Sequence, residues 1–113
     1  MEDLYKTLQT IKQHPTVRLG KHSIFHLEAF FFGYYYMMRH LEMPYYMENF
    51  KEFDNLIRWI RNKYDAGKNR SWASVILFYS EDERDALDNF FELSDEFFAQ
   101  KNNFQNQNID NKQ

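Results

Sequence analysis

HPTVRLGKHSIFHLEAFFFGYYYMM, residues 14–38, decides the fold of this chain. Pro15, Gly20 and Ser23 stand in front of a dense aromatic run. The residue before a proline disfavours the α region, so a helix that precedes Pro15 must stop there. Gly20 closes a loop, and the Ser23 hydroxyl can accept from an unpaired N–H of a following first turn. A second helix is therefore expected over about 24–41. Its apolar residues circle most of the axis, the pattern of a buried helix that wants neighbours on all sides. Gly33 in its middle costs roughly 1 kcal/mol relative to alanine. That cost makes sense where another backbone comes close. The tyrosines Tyr34, Tyr35 and Tyr36 are expected at the rim, ring dry and hydroxyl wet.

The flanks extend the same pattern. Residues 1–13 carry Leu4, Leu8 and Ile11 on one face, which predicts a first helix. The pair Met43-Pro44 ends the second. Phe50, Phe53, Ile57 and Ile60 recur at helical spacing beside Trp59 and predict a third helix over 47–63. Residues 65–69 read as a loop. Ser71 can cap a short segment, 72–79, whose apolar run is ambiguous between helix and strand. Helix is preferred because no partner strand is visible. Ser80-Glu81-Asp82-Glu83 reads as a capping box that opens a last helix to about residue 100. The tail, 101–113, is rich in Asn and Gln and is expected to be disordered. The expected fold is all-α: one domain over 1–100, a compact bundle of about five helices around an aromatic core.

Composition narrows the chemistry. At 113 residues, with 19% aromatics, the chain can build one sufficient core from large rings. The absence of cysteine removes disulfides and thiolate metal sites. The N-terminus lacks an apolar signal segment. The uncharged run from Ala29 to Met38 falls well short of the roughly 20 apolar residues that cross a bilayer. A cytoplasmic protein without membrane contact is expected. Charge is uneven: residues 1–79 hold 11 basic and 8 acidic side chains, whereas 81–96 hold eight acids against Arg84 alone.

Few residues suit catalysis. His22 and His26 have a metal-compatible spacing, but no third ligand accompanies them, so no metal is expected. Ser23, Ser71 and Ser80 read as caps rather than nucleophiles. No phosphate-binding glycine motif is present, and neither an enzyme nor a cofactor is expected. Arg58, Arg61, Lys63, Lys68 and Arg70, interleaved with Trp59, Tyr64 and Trp72, leave a nucleic-acid-binding or regulatory module as the alternative. The acidic stripe Glu81, Asp85, Asp88, Glu92 and Asp95 is the sharpest candidate. Five acids follow one another down one face with no basic residue among them, where an ordinary exposed helix mixes signs. A strongly basic partner is one reason to tolerate that repulsion. Tyr45 and Tyr46 are candidate anchors, because tyrosine is enriched among interface hot spots.

Pro15, Leu19, Gly20, Ser23, Ile24, Leu27, Phe30, Gly33 and Tyr34 also form a pattern. Trp59 and Trp72 follow it, then Phe90-Phe91-Glu92-Leu93-Ser94-Asp95-Glu96-Phe97. Over most of residues 10–98 this resembles small bacterial immunity proteins of polymorphic toxin and contact-dependent growth inhibition systems. His14 stands where that group has a basic residue before the proline. The resemblance implies a cytoplasmic protein that binds and blocks a cognate toxin domain, often a nuclease. The acidic face adds the expectation of an RNase. No catalytic residue carries over.

Overall fold

The computed structural model describes residues 3–64 and 70–111, with side chains to residue 103. Among the described residues there are six helices and no strand. They are α1 Leu4–Gln13, α2 Pro15–Leu19, α3 Ile24–His40, α4 Tyr46–Lys63, α5 Trp72–Phe78 and α6 Glu83–Asn111. The all-α fold with an aromatic core is as expected, and residues 72–78 are helical. The expected 65–69 loop lies outside the described residues.

The additional helix is α2. Pro15 does end α1, but it also occupies the first turn of α2, where a proline's missing N–H is one that no helix would satisfy. The chain turns between the two at His14, with φ −143° and ψ 69°. Gly20 then closes α2 at φ 84°, a left-handed position that glycine adopts without a Cβ penalty.

The remaining boundaries follow from capping. Ser23 Oγ accepts from Phe25 N–H at 3.2 Å and donates to Glu83 Oε1 at 2.6 Å, so one buried hydroxyl caps α3 and ties it to α6. Ser71 Oγ accepts from Ser74 N–H and caps α5. α3 ends before Met43-Pro44. Met43 N–H reaches back to Met38 C=O and Glu42 N–H to Arg39 C=O, with Glu42 left-handed at φ 52°. These bonds form a Schellman motif.

The expected capping box at Ser80 is displaced by two residues. Asp82 Oδ1 accepts from Asp85 N–H at 2.8 Å, and Asp85 Oδ2 accepts from Glu81 N–H at 2.9 Å. Ser80 instead bonds Ile76 C=O and Asn89 Nδ2. The helix continues to Asn111, beyond the expected end near residue 100. Residues 112–113 and the side chains from 104 onward lie outside the description.

α6 is the central element, packed on α1, α3, α4 and α5. Leu87, Phe90, Phe91, Leu93, Ser94 and Phe98 form its buried stripe. An aromatic chain runs across the core: Phe31 to Phe53 at 4.6 Å between ring centroids, Phe53 to Trp72 at 6.0 Å, and Trp72 to Phe90 at 5.3 Å. It joins α3, α4, α5 and α6. Such ring pairs contribute about 0.5–1.5 kcal/mol each beyond their buried area.

Candidate functional site

Two surfaces stand out from this scaffold. The first is the acidic side of α6, which the core stripe turns outward. Glu81, Asp88 and Glu92 are exposed, and Asp85 and Asp95 are half-buried. The expected lack of compensation holds along the helix but not in space. Asp95 binds Lys12 at 2.6 Å and accepts from Gln9 at 3.0 Å, which docks α1. Asp88 meets His22 Nε2 at 2.7 Å, which docks the segment before α3. Beyond the row, Glu96 binds Lys63 at 2.7 Å.

Neighbours in space, invisible to a count along one helix, therefore supply the missing cations. Such half-exposed pairs contribute about 0–1 kcal/mol each. Acids in the first turn are also favoured by the positive end of the helix dipole. What stays open is the N-terminal part of the row. Glu81, Asp82, Asp85, Asp88 and Glu92 lie within about three turns, and among the described residues His22 is the one basic side chain that contacts them.

The second surface is one the sequence reading missed. α3 is not enclosed. Its buried set, Ile24, Leu27, Phe31, Tyr35 and Met38, already makes a complete helical stripe. Phe32 is 79% exposed and Tyr36 62%, with Met37 half exposed beside them. Leu41 and Met43 line one groove with Met37, and Tyr45 and Met47 are exposed in the chain that follows into α4. The signal was present: Phe32, Tyr36 and Met37 are apolar residues left over once the stripe is subtracted. Gly33 also departs from expectation, because among the described residues no other backbone comes close to it. A Cβ there would meet nothing within 4 Å. Gly33 instead lines an open groove of about 560 Å³ with Ala29, Phe30, Met37, Leu41 and Met43.

The two candidate anchors part company. Tyr45 is exposed, just before α4. Tyr46 is half-buried and packs on Phe50 at 5.7 Å and Tyr35 at 6.5 Å, so it belongs to the edge of the core. Tyr35 is no rim residue either. Its hydroxyl donates to buried Asn49. Burial foremost, then Tyr34, Glu52 and Tyr46, pushes its phenol far above the usual range.

The basic cluster is also drawn into local pairing. Arg58 binds Asp54 at 3.0 Å, Lys63 binds Glu96 and lies over the Trp59 ring, and Arg70 lies over Phe78. Lys68 lies outside the described residues. His22 and His26 do not converge: His26 Nδ1 bonds Leu19 C=O at 3.0 Å while His22 holds Asp88. Among the described residues no group of three or more His, Asp or Glu is placed to hold a metal ion. None of their helices is long and apolar enough to cross a membrane.

No family model, curated protein or solved structure matches the chain.

Proposed function

We propose that this protein is an inhibitor that binds a cognate bacterial toxin domain and occludes its cationic active site. The observation that carries this reading is the open acidic patch at the start of α6. Glu81, Asp82, Asp88 and Glu92 are exposed and Asp85 is half-buried, and among the described residues His22 is the one basic side chain bonded to them. A nuclease must attract phosphates, so its substrate cleft is cationic. A rigid row of carboxylates competes for that cleft and speeds encounter with it. The resemblance of residues 10–98 to small immunity proteins supports a toxin as the partner, and the acidic patch favours a nuclease, an RNase among them. Neither catalysis nor a cofactor enters this function.

The test is charge reversal at two exposed positions whose side chains hold no other element in place, Glu81→Lys with Glu92→Lys. Association with the cognate toxin domain should slow about 10-fold or more at low salt. The difference should shrink as salt is added, because exposed charges are screened. Equal rates for the two proteins at every ionic strength would refute the reading.

A further inference from the structure

The apolar face of α3 and the α3–α4 turn has no function in that scheme, because it presents rings and thioethers to water where a cationic cleft would want carboxylates. We infer that this face is the interface of a homodimer in which two copies of α3 cross at Gly33. Area comes first. Phe32, Tyr36, Met37, Leu41, Tyr45 and Met47 are each about half exposed or more, with Phe32 at 79% and Met47 at 73%. At about 200 Å² for a large side chain, those exposed fractions leave these six residues showing about 700 Å² of mostly apolar surface. The largest such patch on a typical monomer is about 300–600 Å². Each partner of a standard interface buries about 800 Å².

The second argument is shape. A two-fold interface must be self-complementary, with knob and hole on the same patch. This face carries both. Phe32 and Met37 project, while Ala29 and Gly33 form the floor of the groove beside them. Gly33 has open space where a Cβ would stand, so a second helix can approach its backbone closely. An antiparallel crossing centred on Gly33 sets Met37 of each copy over Ala29 of the other. Chemistry is the third argument. Permanent homodimer interfaces are more apolar than those of complexes that form and part, and this face fits the former.

The dimer leaves the acidic patch of α6 to the toxin, and the two proposals fail separately. Sedimentation equilibrium of the intact chain over a wide dilution series tests the dimer. The chain of 14.0 kDa should sediment at about twice its mass at micromolar concentrations and dissociate on dilution. Gly33→Lys is the decisive variant. It replaces a mid-helix glycine at an open position, so it should keep or raise thermal stability while setting two ammonium groups against each other at the axis. It should sediment as a folded monomer, and Phe32→Glu should do the same. A wild-type protein that is monomeric throughout the series would overturn the proposal. So would a Gly33→Lys protein that still dimerises, or a monomer that grips its toxin through Phe32.

Discussion

Tyr35 shows what a single side chain contributes at the residue scale. Its hydroxyl donates to Asn49 in a buried site. Tyr35→Phe would leave the Asn49 oxygen unpaired, and an unsatisfied buried group costs about 1–3 kcal/mol. The pH dependence has a definite sign. The folded phenol titrates above the unfolded value of about 10, chiefly because it is buried. Its share of stability is therefore complete below about pH 10 and is lost as pH rises beyond it. Urea unfolding at about pH 8 and about pH 11 should show a smaller alkaline loss in Tyr35→Phe than in the wild type. Equal losses would show that the phenol does not govern alkaline unfolding. This residue also marks a limit of sequence reading. Tyr34, Tyr35 and Tyr36 are adjacent and alike on paper, yet only the middle one falls on the stripe that faces Asn49 and Phe53.

At the scale of elements, the caps decide where helices begin. Asp82 accepts from the first turn of α6 and Asp85 answers at Glu81 N–H. Asp82→Ala should lower unfolding free energy by about 1 kcal/mol, with a range of about 0.5–2. An unchanged denaturation midpoint for Asp82→Ala would show that Ser80 or Glu81 takes over the cap. Ser23 and Ser71 were legible as caps because each directly precedes an apolar periodic run. Three polar residues, Ser80, Glu81 and Asp82, directly precede α6, and periodicity alone cannot say which of them caps it. α2 was hidden for a related reason, since a proline that stops one helix can begin the next. The open face of α3 was hidden because apolarity on all sides predicts burial only if enough neighbours exist. α2, α4, α5 and α6 all pack on α3, yet one side stays uncovered.

For the whole molecule, architecture assigns different work to different faces. α6 runs through the centre with its rings inward and its carboxylates outward. Asp88 and Asp95 also hold the segment before α3 and α1 in place, which a charge count along the chain does not reveal. The fold class was readable because helical periodicity is local. The surfaces were only partly readable, because exposure depends on which elements meet. The proposed function rests on the acidic patch at the start of α6, and contact of that patch with the proposed partner is the point to measure. Hydrogen exchange of the protein alone and with the toxin domain proposed as its partner does so directly. We expect the backbone amides of residues 81–92 to gain protection on binding. If those amides exchange alike in both states while amides elsewhere gain protection, the acidic patch is not the binding surface proposed here.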